Sequence, residues 1–234
     1  MTVRVHRYAD ASLLGDGVAS FLARRLAEHK SSTDLCLSDG LGEVCTALGR
    51  ALGIAGVNPK HIDLWWSDDG YVDMTDPARV STKTLAALGD VRLAAGNVHP
   101  MPTVSGNADV AAAALLYATE LGATAFDVAV LAIRKDGGVA GLRPGSPALT
   151  KPEAHTVVGV REGGGDRLTL TTEALARSAA IWFVAVGQAV APMLARIVAD
   201  DESLPAGALR GQVETRIFAD EAAAAQLPWY VCDL

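Results

Sequence analysis

The strongest constraint on the fold is a local pattern: an apolar run that ends on a glycine turn and passes directly into a helical spacing. LCLS (35–38) is followed by DGLG (39–42) and then by EVCTALGRALG (43–53). Strand, glycine turn and helix in that order open a parallel α/β unit, because a parallel neighbour strand is reached only through a crossover connection. FDVAVLAI (126–133) and AIWFVAVG (180–187) repeat the theme of a continuous apolar strand. Such runs fit strands covered on both faces.

The remaining segments fill in the same scheme. Leu13, Leu14, Val18, Phe21, Leu22 and Leu26 recur at helical spacing and predict an amphipathic helix from Ala11 to His29. IDLWWSD (62–68) reads as a strand ending in acids, with the following DDGYVDMTDPARV a loop leading to a helix over STKTLAALG. Trp65 and Trp66 alternate across that strand, so one belongs to the core and the other is free to face solvent or a ligand. VHPMPTVSGNADV is rich in Pro and Gly and ends in a helix-start pattern before AAAALLYATELG. HTVVGVRE and DRLTLT are strand-like around a glycine turn; helices are expected over TTEALARSA and QAVAPMLARIVADD, and the chain closes through SLPAGALRGQ and VETRIFADEAAAAQL. Neither a repeat nor a low-complexity linker interrupts the 234 residues, which are read as one α/β domain, 1–234: a mostly parallel sheet with helices on both faces. Ligands of such sheets bind beyond the C-terminal strand ends, where DGLG, SDDGYV and RKDGG fall.

Composition excludes some partners. A formal charge of −7 argues against non-specific binding to nucleic acid or to an anionic membrane surface. The absence of a long apolar run and of a leader pattern predicts a soluble, unexported, cytoplasmic protein. Cys36, Cys45 and Cys232 lack metal-ligand spacing and are read as reduced thiols, with Cys36 a small buried side chain.

Ordered blocks across nearly the whole chain carry a family resemblance. LCLSDGLGEVCTAL resembles the strand and Ser-Gly-Gly-Ser-Thr-Pro loop of the 6-phosphogluconolactonase family, whose fold is shared with glucosamine-6-phosphate deaminases. LWWSDDGYV resembles its Trp…Asp-Glu-Arg-x-Val block, FDVAVLAIRKDGGVAGLRPG its Asp-Gly-His loop, and DRLTLTTEAL its Arg-Ile-Thr-Leu-Thr strand, with LPAG and FADEAAAAQL in its closing region. The resemblance implies a lactonase/sugar-phosphate isomerase type of fold. It also implies hydrolysis of 6-phosphoglucono-δ-lactone in the pentose phosphate pathway, with no metal or organic cofactor.

Laid on that pattern residue by residue, the chemistry has changed. Gly138 stands where the family has its general-base histidine, and Gly141 where it has a serine. Loss of a positioned base removes about 10² to 10⁴ in rate, so weak or absent lactonase activity is expected, with Asp136 as the weak substitute. The resemblance assigns substrate or phosphate binding to Ser38, Gly40, Gly42, Asp68 and Arg167. Asp39 replaces a glycine of the phosphate loop and Glu43 its proline; both also suit a helix start. Asp69 stands for the family glutamate, Gly70 for its arginine and Val190 for a lysine.

Arg134, Lys135 and Arg143 are added cations in the opening loop, a possible displaced anion or partner site, and Arg79 is placed to approach the same mouth. His99 and His155 are the histidines nearest the strand C-termini. Three functions stay open at this point: a lactonase with a rebuilt site, a non-catalytic paralogue that binds a sugar phosphate or another small anion, and a protein-interaction module using the cleft mouth.

Overall fold

The computed structural model describes residues 4–28, 32–106, 109–149, 156–162, 165–228 and 232–233. The chain enters through β1 (Arg4–Tyr8) and α1 (Ala11–Glu28), followed by β2 (Thr33–Leu37) and α2 (Gly42–Ile54). Next come β3 (Ile62–Trp66), β4 (Asp68–Gly70), α3 (Val80–Leu88), β5 (Val98–His99), α4 (Val110–Leu121) and β6 (Val128–Ala132). The second half holds β7 (Val157–Glu162), β8 (Gly165–Leu170), α5 (Thr172–Ala176), β9 (Ala180–Ala185), α6 (Ala191–Val198), α7 (Pro205–Ala208), β10 (Glu214–Asp220) and β11 (Cys232–Asp233).

Among the described residues the strands form an eight-stranded sheet in the order β11-β1-β10-β9-β6-β2-β3-β5 and a three-stranded sheet in the order β4-β8-β7. Every pairing in the large sheet is parallel, and both pairings in the small one are antiparallel. The period-two alternation of each strand divides the core in two. Leu35, Leu37, Leu64, Trp66, Val128, Val130 and Trp182 face α1, α2 and α3. Cys36, Trp65, Ala129, Leu131, Ile181 and Phe183 face α4, α5, α6 and the small sheet. Burial of large side chains on both faces, each worth about 1.5–3 kcal/mol, drives the two layers onto the central sheet.

Three sequence expectations change. Asp68–Gly70 is not loop but a short strand, because its register with Arg167–Thr169 of β8 gives the segment a partner that is remote in sequence. β1, β5 and β11 were not read from the sequence, and β5 and β11 are only two residues long. Neither tryptophan faces solvent: Trp65 and Trp66 are buried on opposite faces, with indole N–H groups donating to Asp34 Oδ1 at 2.8 Å and Thr84 Oγ1 at 3.2 Å. Asp109 caps α4 by accepting from the Ala112 N–H at 2.8 Å, as its pattern predicted. His29 and His155 lie outside the described residues.

Candidate active site

The site is built where β2, β3 and β6 end. Ser38 follows β2, and its hydroxyl donates to the Asp39 carbonyl at 2.9 Å while accepting from the Ala132 N–H at 2.8 Å. This hydroxyl therefore ties the glycine turn to the end of β6. Gly40 turns the chain with φ +85°, a backbone that glycine adopts without strain. Gly42 then starts α2, whose N-cap residue, Leu41, makes no side-chain cap hydrogen bond.

Asp39 is consequently not the helix cap expected of it. Its Oδ1 instead accepts from the Gly40 N–H at 2.9 Å and from Lys83 Nζ at 3.0 Å, and Oδ2 lies 3.8 Å from the Arg167 guanidinium. Burial works to raise the Asp39 pKa, but the Lys83 hydrogen bond and charge, the Gly40 N–H and Arg167 outweigh it and hold it below the usual carboxylate value. Lys83 reaches the turn because α3 packs closely on α2: a Cβ at Gly49 would stand 2.4 Å from the Leu88 carbonyl oxygen.

Asp68 and Arg167 form the floor. Arg167 on β8 reaches Asp68 Oδ2 at 2.6 Å, and Oδ1 accepts from Ser67 Oγ at 3.0 Å and from the Asp39 N–H at 3.3 Å. Complete burial pushes the Asp68 pKa up, and the Arg167 charge and hydrogen bond only partly offset it. The Cys36 thiol is pushed well above its usual value, chiefly by burial, which fits an inert core side chain. The neighbouring Asp69 accepts from the Val80 and Ser81 N–H groups at 2.7 and 3.3 Å and pairs with Arg79 at 3.3 Å. It thereby holds the N-terminus of α3. Arg79 does not line the cleft mouth; it is buried, donating to the Met101 carbonyl at 2.5 Å.

The opposite wall is the loop after β6. The Arg134 N–H donates to the Gly138 carbonyl at 2.9 Å, Val139 and Leu142 exchange backbone hydrogen bonds, and the Gly141 N–H donates to Thr169 Oγ1 at 3.0 Å. Asp136 accepts from the Gly138 N–H at 3.0 Å and pairs with Arg143 at 3.0 Å. Gly138 is buried, and a Cβ there would meet the Leu142 carbonyl oxygen at 2.5 Å and Asp136 Oδ1 at 3.0 Å. A Cβ at Gly141 would meet Thr169 Cβ at 2.8 Å. Both glycines are therefore demanded by close approach rather than by a left-handed backbone. Of the three added cations, Arg143 is engaged by Asp136, Lys135 is exposed, and Arg134 lines the cleft.

Three hollows meet at the glycine turn. One, of about 440 Å³, is lined by Gly40, Leu41, Gly42 and Glu43 at the start of α2. A second, of about 290 Å³, is lined by Ser38, Gly42, Val80, Lys83 and their neighbours, and a third, of about 350 Å³, by Ala132, Ile133, Arg134, Val184 and Val186. Asp39 and Gly40 line both of the latter. A separate hollow of about 450 Å³ between α5 and α7 shares none of these residues. His99 does not enter the site lining; it stacks on Trp65 with ring centroids 3.8 Å apart and sits between Asp63 and Glu120. Val190 is buried within the 188–190 turn. Among the described residues no group of three or more His, Cys, Asp or Glu could hold a metal ion, and no helix is long and apolar enough to cross a membrane. Lys83 is the functional candidate that sequence reasoning passed over, since a lysine inside a helical run reads as solvent-facing.

A parallel α/β sheet with a charged cleft beyond its strand ends is the architecture of the sugar-phosphate isomerase and lactonase fold, in which ligands bind outside the carboxyl ends of the strands. Residues 9–218 match the model of the glucosamine-6-phosphate isomerases/6-phosphogluconolactonase family, and the chain belongs to it. It is 31% identical to a 6-phosphogluconolactonase of Streptomyces coelicolor, covering 96% of this chain and 94% of that protein. Against a 6-phosphogluconolactonase of Mycobacterium leprae the identity is 29%, covering 97% and 100%. The fold is also that of the 6-phosphogluconolactonase structure from Thermotoga maritima, with a TM-score of 0.79 at 24% identity over 93% of this chain and 99% of that one. A monomeric glucosamine-6-phosphate deaminase superposes with a TM-score of 0.81 at 16% identity, covering 95% and 99%.

Proposed function

We propose that this chain performs the 6-phosphogluconolactonase reaction in attenuated form, as a cytoplasmic protein of sugar-phosphate metabolism. It takes 6-phosphoglucono-δ-lactone, or the acid formed from it, into the cleft between the glycine turn and the Arg134–Arg143 loop, and it opens the lactone slowly. Similarity along nearly the full chain to proteins bearing that name supports the substrate class. Ser38, Gly40, Gly42, Asp68 and Arg167 form the binding wall in this reading, with Lys83 added.

The observation that carries the attenuation is Gly138. The position that the resemblance sets on the family's base has no side chain, and the backbone around it is closed against one by the Leu142 carbonyl at 2.5 Å from a built Cβ. Asp136 is the nearest acid in that loop, yet its carboxylate already accepts from the Gly138 N–H and Arg143. A group so engaged is poorly placed to take a proton from water.

The test is hydrolysis of freshly generated lactone, followed beside the Streptomyces coelicolor relative. The expected result is a rate above the spontaneous background with kcat/KM about 10²- to 10⁴-fold below that relative. Parity would overturn the attenuation. Hydrolysis no faster than background would overturn the enzymatic reading and favour a role in binding alone.

A further inference from the structure

We infer that the Asp39 carboxylate is an internal occupant of the site's anion seat, that Lys83 is the second cation of that seat beside Arg167, and that an incoming phosphate must displace Asp39 to bind. The inference rests on the cleft described under the proposed function and specifies what that cleft selects.

Asp39 collects the set of donors that a bound phosphate would use: a glycine-turn backbone N–H at 2.9 Å, a lysine ammonium at 3.0 Å and an arginine guanidinium at 3.8 Å. These donors come from three separate elements, the turn after β2, α3 and β8, so their convergence is a product of the tertiary fold. Asp39 serves no helix: the N-cap residue of α2 is Leu41, which makes no side-chain cap hydrogen bond, and the bond from Gly40 to Asp39 lies ahead of the first residue of α2. The Asp39 side chain also stands where the hollow beside Lys83 and the hollow beside Arg134 adjoin, since Asp39 and Gly40 line both. Turning the carboxylate outward would release Lys83, leave Arg167 held by Asp68 alone of the two carboxylates, and join the hollows around them.

A seat already holding the Asp39 carboxylate, with Asp68 paired to Arg167 behind it, favours ligands that bring more charge. A phosphate monoester dianion exceeds the single charge of Asp39, whereas a carboxylate or a neutral sugar does not. Asp39 thus sets a threshold of ligand charge, and Lys83 with Arg167 supplies the attraction once it is crossed.

Calorimetric titration of inorganic phosphate and of 6-phosphogluconate into wild type, Asp39→Asn and Asp39→Gly tests this. Removing a unit charge about 6 Å from the ligand at an effective dielectric near 20 corresponds to roughly a hundredfold in affinity. Both variants are expected to bind both probes ten- to a hundredfold more tightly than wild type, and Lys83→Ala added to either is expected to erase the gain. The asparagine variant keeps the side-chain shape, so a folding defect in the glycine variant leaves the test intact. Tighter binding of phosphate without tighter binding of 6-phosphogluconate supports the seat and overturns the sugar-phosphate reading of the cleft. Wild-type binding of 6-phosphogluconate that neither Asp39 variant alters leaves that reading in place and overturns the inference, as does a gain that survives loss of Lys83.

Discussion

Asp68 and Arg167 meet at 2.6 Å although 99 residues separate them, and the pair ties together the neighbouring strands β4 and β8 of the small sheet. Asp68 is completely buried and Arg167 partly so, its side chain 18% exposed. Removal of one partner from such a pair costs about 3–5 kcal/mol because the other charge is left without compensation. Arg167→Ala should therefore lower the unfolding free energy by that amount at pH 7 in urea denaturation.

The sign of the pH dependence follows from Asp68. Its folded pKa is already raised by burial and should rise further without Arg167. In the window above the unfolded carboxylate value and below the raised folded one, the native state binds more protons, so stability falls as pH rises. The deficit of Arg167→Ala should consequently shrink toward acid pH, and Asp68→Asn in the same background should recover part of it. A deficit independent of pH would show that the pair contributes through packing alone.

Gly138→His places a histidine where, on the proposed reading, the family's base would stand, in a backbone that has no room for it. A Cβ at that position overlaps the Leu142 carbonyl oxygen at 2.5 Å and crowds Asp136 Oδ1 at 3.0 Å. Forcing a side chain into a packed backbone costs about 1–3 kcal/mol. The variant should lose stability by that amount in chemical denaturation and gain no lactonase activity. Wild-type stability together with a tenfold or larger gain in kcat would show that the loop opens readily.

Asp39 should titrate below the ordinary aspartate value in carbon-13 carboxyl spectra, and Lys83→Ala should move its midpoint upward. Burial alone would raise it, and the Lys83 bond and charge are the first of the opposing influences. Because the folded pKa lies below the unfolded one, the ion pair's stabilisation is present above the unfolded value and is lost as pH falls through the folded value. An unchanged midpoint in Lys83→Ala would mean that Gly40 and Arg167 alone hold the carboxylate.

The parallel sheet was legible because its strands are short, almost wholly apolar runs flanked by glycine and helical spacing, and these are local properties. FDVAVLAI became β6 and AIWFVAVG became β9 for this reason. The two-residue β5 and β11 carry no such signal, since a strand that short is defined by its neighbour. Asp68–Gly70 looked like loop because its acids and glycine lack strand character; pairing with β8 made it a strand.

Within the cleft, the residue types Ser38, Gly40, Asp68, Arg167 and Gly138 were readable in the ordered motifs. The partners of those residues were not. The sequence by itself determined a covered parallel sheet, its glycine turns and the residue types at the strand ends, because hydrophobic periodicity and turn chemistry act over a few neighbours. Only the tertiary structure decided that Arg79 is buried on Asp69 rather than at the mouth, that Lys83 reaches the glycine turn, and that Asp39 sits among the cations. Those outcomes depend on charges brought together from distant segments, where burial and distance set the strength of each interaction.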